Sequence, residues 1–194
     1  MEASLRRLAH TTRNGIVAGT LRGRPLVELV ESIPYLDRDS WVQEVLEVDP
    51  PPPDIDLPAG AVPYLPCGVD EILATVRDVP LGPDDELVDL GSGLGRVVIL
   101  AHLLTGARAR GIEIQAHLVA RARATHAALA LPASVAFDHA CATEAELDGS
   151  VIFLYAPFNG AMLARVLDRL AALARRRRFT ICAVGLEVDV PWLS

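Results

Sequence analysis

The chain has 194 residues, 51% of them hydrophobic and 22% charged, a globular composition with enough apolar mass for a full core. Its formal charge of −7 argues against a protein whose main task is to coat nucleic acid. The longest apolar run, Val97 to Leu104, is broken by His102 and falls well short of the roughly 18 residues that a bilayer span needs.

The N-terminus, MEASLRRLAHTTRNG, carries arginines with no apolar block behind them, so no secretory signal is expected. Residues 24–32 are predicted as a helix, with Leu26, Val27 and Val30 at helical spacing. Residues 39–48 are predicted as another, with Trp41, Val45 and Leu46 on one face and Asp39 or Ser40 as its N-cap. Four prolines then follow between Asp49 and Asp54, which reads as a stiff extended connector. Pro58, Pro63 and Pro66 keep the next stretch irregular.

From Gly68 the pattern becomes regular. A helix is predicted over 69–77, a turn at Gly82-Pro83-Asp84-Asp85, and a strand over 86–90. A glycine loop (91–95) leads to a helix (96–105) with Gly106 as its C-cap. A strand (109–114), a helix (115–129), two further strands (134–137 and 151–155), a helix (160–176) and a fifth strand (179–184) complete the order. The strands are apolar throughout rather than at alternate residues, as parallel strands buried on both faces are. In such a sheet ligands bind outside the carboxyl ends of the strands.

All 18 basic residues are arginine, so no lysine is there to form a Schiff base or to serve a phosphate loop. Cys67, Cys141 and Cys182 are an odd number at wide spacing, which suggests neither a disulfide framework nor a metal site. The five histidines show no ligand spacing beyond the loose pair His117 and His126, so no metal is expected. His139, at a strand tip, reads as a surface residue or a base. The run Arg175 to Arg178, at a helix C-terminus, reads as a solvated face favoured by the helix dipole.

The glycine loop is Asp89-Leu90-Gly91-Ser92-Gly93-Leu94-Gly95-Arg96. Glycines between strand and helix let the chain turn sharply and let a ligand approach the main chain without meeting a Cβ. A dinucleotide fingerprint is GxGxxG; here Arg96 stands at its third glycine, in the way of close helix–strand packing. That counts against a nicotinamide oxidoreductase, and no GK[ST] follows to make a phosphate loop.

This stretch resembles the first motif of the class I S-adenosylmethionine-dependent methyltransferases: an acid, an apolar residue and GxGxG at the end of the first strand. The resemblance implies that Asp89, Gly91, Ser92, Gly93 and Gly95 hold the amino-acid end of S-adenosylmethionine, with Asp89 acting toward its ammonium group. A carboxylate suits a ligand that carries both a sulfonium and an ammonium. Glu113, in Gly111-Ile112-Glu113-Ile114, ends the second strand. A carboxylate there can accept two hydrogen bonds from a ribose diol, and the resemblance implies that role.

Many relatives carry an aspartate after the third strand that meets the adenine amino group. By pattern that position falls on Cys141, with Asp138 displaced by three residues. Cys141 reads as an adenine-site residue or as a small buried one. After the fourth strand, Tyr155-Ala156-Pro157-Phe158 keeps the proline and aromatic of the [DN]PP[YF] motif of base and glutamine N-methyltransferases, but puts Tyr in the first slot. A base N-methyltransferase is therefore not expected. Tyr155 is expected beside the sulfonium, Phe158 on the acceptor wall, and Asn159 as either a helix cap or a catalytic group. Pro63-Tyr64-Leu65-Pro66 is similar to a Tyr-x-Pro found in small lysine methyltransferases, including the mitochondrial ATP-synthase c-subunit type. That implies a cover over the cofactor for Tyr64; the alternative is a packed loop tyrosine. Histone-lysine methyltransferases with a Rossmann-like domain share the Asp-Leu-Gly-Ser-Gly style. The resemblance runs from Tyr64 to Val184 and is absent over the first 50 residues.

The expected protein is α/β, with a doubly wound, mostly parallel class I methyltransferase-like sheet and a helical N-terminal extension. Residues 1–66 are expected to form a cap and 67–194 the Rossmann-like domain. The family's sheet has seven strands. The sequence past Val184 has room for one short strand, so the last strands are expected to be lacking or that edge completed by another chain or by the N-terminal zone. The expected activity is cytoplasmic methyl transfer from S-adenosylmethionine, with S-adenosylhomocysteine as product. A protein lysine amine is the first acceptor, a small metabolite the next, and a non-catalytic binding module the alternative. No membrane or nucleic-acid partner is expected.

Overall fold

The computed structural model describes residues 2–50, 53 and 57–186. The middle of the predicted proline connector and any strand beyond residue 186 lie outside the described residues. Four helices come first: α1 (Ala3–Val17), α2 (Arg24–Ser32), α3 (Arg38–Leu46) and α4 (Val69–Asp78). A single 3-10 turn, Tyr35–Asp37, joins α2 to α3. Strand and helix then alternate as β1 (Glu86–Leu90), α5 (Arg96–Thr105), β2 (Arg108–Glu113), α6 (Ala116–Ala128), β3 (Val135–His139), β4 (Val151–Tyr155), α7 (Gly160–Ala174) and β5 (Thr180–Val184).

The five strands form one sheet in the order β3-β2-β1-β4-β5, and every pairing is parallel. Leu87 to Leu90 and Val151 to Leu154 are buried, as central parallel strands covered on both faces must be. The order reverses between β1 and β4, which places a crevice at their carboxyl ends.

One apolar core runs from the N-terminal helices to one face of the sheet, taking in Ala9, Ile16, Trp41, Val45, Ile99, Leu103 and Phe153. A second fills the opposite face around Leu90, Ile112, Ile152 and Leu170. Helix α5 is buried at every position from Val97 to Leu104. A helix apolar all round must be covered on both sides: β1 and β2 lie on one side, α2 and α4 on the other. The Leu103 carbonyl also accepts the Gly23 amide at 2.8 Å, which pins the start of α2 to the end of α5.

Helix α1 has no counterpart among the sequence-based expectations. It buries Ala9, Thr12, Arg13 and Ile16, and the two polar residues interrupt its apolar stripe. Arg13 is satisfied from α3, donating to the Val45 carbonyl at 3.1 Å and pairing with Glu47 at 2.8 Å. Asp39 is not the N-cap of its own helix. Asp37 takes that position, without a side-chain cap bond. The Asp39 carboxylate instead accepts the Val69 amide at the start of α4 (3.2 Å) and Arg96 Nη1 (2.7 Å). The segment between β3 and β4 is stitched by arginines from the far side of the chain. Arg169 donates to the carbonyls of Ala142 and Ala145, and Arg177 to those of Leu147 and Gly149. Arg177 also lies over Phe179, 5.5 Å from the ring centre, so it departs from the expectation of a wholly solvated run.

Candidate functional site

The site forms where the chain leaves β1. Gly91 has φ +84° and Gly93 φ +53°, a region that side chains enter at a cost of about 1–2 kcal/mol. Space is as restrictive as angle. A Cβ on Gly91 would lie 2.4 Å from Pro157 Cβ, and one on Gly93 2.1 Å from the Tyr64 ring. The Gly91 and Ser92 amides both donate to the Ile112 carbonyl at the end of β2 (2.8 and 3.1 Å), and the Gly93 amide donates to Glu113 Oε2 at 2.9 Å. Glu113 Oε1 accepts the Gln115 amide at 2.8 Å. The buried Glu113 carboxylate therefore ties the tip of β2 to the loop after β1.

Asp89, on β1, is 3% exposed and accepts no hydrogen bond among the described residues. Burial first, and the Glu113 charge second, push its carboxyl up to about 8. Ser92 is also buried, with a hydroxyl that has no partner among the described residues. Gly111 opposite leaves it room, since a Cβ there would lie 2.5 Å from Ser92 Oγ. A recess of about 20 Å³ is walled by Asp89, Ser92, Cys67 and Arg96. Next to it lies a cavity of about 250 Å³, walled by Glu113, Gln115, Cys141, Ala142 and Phe158. Tyr64, Gly91 and Tyr155 belong to both walls. Burial raises the phenols of Tyr64 and Tyr155, and it pushes the Cys67 thiol up to about 12. Residues 60–62 run across the end of the sheet and close the cavity. Ala61 bridges to Phe158, the Val62 amide donates to the Pro157 carbonyl at 3.0 Å, and the Asn159 amide to the Gly60 carbonyl at 2.8 Å.

Of the residues expected at a ligand site, Tyr64, Asp89, Gly91, Ser92, Glu113, Cys141 and Tyr155 line these two spaces, and Gly93 lies beneath the Tyr64 ring. Gly95 packs under Phe137 at the start of α5. Cys141 Sγ sits 2.9 Å from Thr143 Oγ1. Asn159 is exposed and outside both walls; it occupies the N-cap position of α7 without a side-chain cap bond, so the expected capping is not made. Asp138 turns to Arg110 at 3.3 Å, away from the cavity. His139 Nε2 lies 3.0 Å from the Ile114 carbonyl.

Sequence reasoning missed Cys67 as a wall and Arg96 as a strut. Arg96 Nη1 bonds both Asp39 and the Cys67 carbonyl (3.2 Å). The signal for Arg96 was its bulk at a position where related loops carry glycine. Cys67 gave none. Among the described residues no three His, Cys, Asp or Glu side chains gather as metal ligands, and no helix is long and apolar enough to cross a membrane.

Sheet order, glycine loop and strand-tip acid together define the class I methyltransferase fold. Residues 68–134 match the family described as histone methylation protein DOT1. The chain is 34% identical to an RNA methyltransferase from Salinibacter ruber solved with S-adenosylhomocysteine, over 47% of this chain and 60% of that one, with a TM-score of 0.45. It is 16% identical to the MccD protein, over 63% of this chain and 57% of that one, with a TM-score of 0.50. It is 20% identical to an S-adenosylmethionine-dependent methyltransferase from Thiobacillus denitrificans, over 52% of this chain and 43% of that one, with a TM-score of 0.44. The chain thus spans 60% or less of the length of each of these proteins. No curated protein matches the sequence.

Proposed function

We propose that this chain binds S-adenosylmethionine and transfers its methyl group to an amine, with a protein lysine as the acceptor. The observation that carries the reading is the pair of buried carboxylates, Asp89 and Glu113, around a loop whose glycines cannot carry a Cβ. Arg96 shares the recess with Asp89 but is engaged by Asp39 and the Cys67 carbonyl, so among the described residues Asp89 makes no ion pair and the Ser92 hydroxyl has no partner. Burial favours the neutral form of Asp89, and a ligand carrying an ammonium and a sulfonium brings the positive charge that stabilises its ionised form. Pyrophosphate, the usual guest of a helix N-terminus, would meet those same carboxylates and be repelled.

In this reading Asp89 faces the ammonium group, Glu113 holds the ribose diol, and Cys141 borders the adenine. Tyr64 covers the loop, and residues 1–66 act as a cap on 67–194. When bound, S-adenosylmethionine supplies an electrophilic methyl group on sulfur. The protein's own part is to hold the acceptor in line, exclude water and leave the amine deprotonated. Placement of this kind carries most of a methyl transfer. Tyr155 lines both recess and cavity, and in this reading its ring faces the sulfonium. The reading places the chain in the cytoplasm, where Cys67, Cys141 and Cys182 stay unbridged.

Titration calorimetry tests the cofactor assignment. S-adenosylmethionine and S-adenosylhomocysteine should both release or absorb heat with one site per chain, and NAD should not. Transfer of a tritiated methyl group to protein completes the test; binding without any transfer would instead identify a binding module.

A further inference from the structure

The recess and the cavity are walled, among the described residues, by three acidic or basic side chains: Asp89, Glu113 and Arg96. Arg96 is the single base. The amino-acid end of S-adenosylmethionine carries two opposite charges on one carbon, an ammonium and a carboxylate. Asp89 faces the ammonium in the reading above, which leaves the carboxylate to be met by another group. Near two acids an unpaired carboxylate is repelled, and taking it out of water without a cation or donors is costly. The glycine loop has few main-chain donors left for it. The Gly91 and Ser92 amides go to the Ile112 carbonyl, the Gly93 amide to Glu113, and the Gly95 amide to the Ser92 carbonyl at 2.8 Å.

Arg96 remains. It is the first residue of α5, directly after the loop, and it stands on the recess wall with Asp89 and Ser92. Its side chain is 14% exposed. A guanidinium holds five N–H donors in a rigid fork. Among the described residues Arg96 bonds through Nη1 alone, to Asp39 at 2.7 Å and to the Cys67 carbonyl at 3.2 Å, so the donors of Nη2 and Nε are unspent. The two anchors hold the fork still, and a fork already held loses little freedom on taking a further carboxylate. Asp39 is 56% exposed, so solvent screens its charge and it offsets only part of that of Arg96. The rest is felt in the recess. Burial raises both the Tyr64 phenol and the Cys67 thiol, and the Arg96 charge opposes each rise. Arg121, whose charge also reaches Tyr64, is on neither wall and donates to the carbonyls of Asp49 and Pro50.

We infer that Arg96 binds the carboxylate of the cofactor's amino-acid end while Asp89 binds its ammonium, and that this pair makes the site select a donor that keeps its carboxylate over a decarboxylated one. This role for Arg96 rests on the S-adenosylmethionine reading above and adds to it the charge that decides which end group is accepted.

Titration calorimetry on the full chain tests it by comparing S-adenosylhomocysteine with S-adenosyl-3-thiopropylamine, the same molecule without the carboxylate. The unaltered chain should bind S-adenosylhomocysteine at least about tenfold more tightly than the amine. Arg96→Met should weaken S-adenosylhomocysteine at least about tenfold while the amine stays within about twofold, so that the preference disappears. Arg96→Lys, which keeps the charge but not the fork, should keep part of it. A residue that only props the loop would weaken both ligands together. Equal affinity of the unaltered chain for the two ligands overturns the assignment, and this comparison needs no variant, so it holds even if Arg96→Met fails to fold. A preference that survives Arg96→Met overturns it too, as does an equal loss for both ligands in that variant. Binding of neither ligand removes the S-adenosylmethionine reading itself, and the role of Arg96 with it.

Discussion

Replacing Gly93 by alanine probes the loop at its most constrained point. The residue sits at φ +53°, where a Cβ costs about 1–2 kcal/mol through the backbone alone. That Cβ would also stand 2.1 Å from Tyr64 Cε2 and 2.4 Å from Cδ2. Overpacking of this kind costs about 1–3 kcal/mol unless the ring moves. The expected loss for Gly93→Ala is about 2–5 kcal/mol, a fall of roughly 4–20 °C in Tm for a chain of this size. The Gly93 amide also fixes Glu113, so affinity for S-adenosylhomocysteine should fall with stability. Making the same change in a Tyr64→Ala background isolates the steric part: only the backbone cost of about 1–2 kcal/mol should remain. Urea denaturation of the four proteins and calorimetry with S-adenosylhomocysteine measure both effects. An equal loss in the two backgrounds, with ligand affinity untouched, would refute the idea that Tyr64 closes over this glycine.

Three further outcomes are expected. Asp89 has a folded pKa raised to about 8 against an unfolded value near 3.9. The native state therefore holds an extra proton between about pH 4 and 8, and stability contributed at low pH is lost as pH rises through that window. Asp89→Asn should remove this slope in urea titrations from pH 5 to pH 9 while weakening S-adenosylmethionine binding; a slope that persists in the variant would contradict the assignment. A double-mutant cycle on Arg96→Ala and Asp39→Ala should give a coupling of about 0.5–1 kcal/mol, discounted because Asp39 is 56% exposed; strict additivity would mean the contact carries no energy. Ala156 holds φ +41° just before Pro157, where both the Cβ and the following proline disfavour it. Ala156→Gly should raise stability by about 1 kcal/mol in thermal unfolding, and a fall in Tm would show that the alanine is not strained.

Much of the sheet could be read from the chain alone because its signals are local. A short β-branched and aromatic run such as Val151 to Tyr155 fits a two-faced strand, and a GxGxG between strand and helix has few uses. The strand-tip Glu113 follows from the same register. Helix α1 was not legible, because Thr12 and Arg13 occupy buried positions that only a partner makes affordable: the Val45 carbonyl and Glu47 satisfy the arginine from across the bundle. The 160–176 helix was placed correctly to within two residues, yet Arg169 on it and Arg177 just past its end turned out to hold the β3–β4 segment.

Asp39 shows where the division falls. As a sequence it is a plausible cap for the helix it precedes. In space it caps α4 instead and holds Arg96 at the mouth of the site. The chain's own order of residues determined the strands, the loop and the acids, since each depends on neighbours within a few positions. Only the tertiary structure decided that residues 60–62 close the cavity, that Tyr64 lies on Gly93, and that Asp89 is buried without an ion pair among the described residues. Those facts depend on which distant segments meet, and a buried charge acquires its pKa from that meeting rather than from its neighbours in the chain.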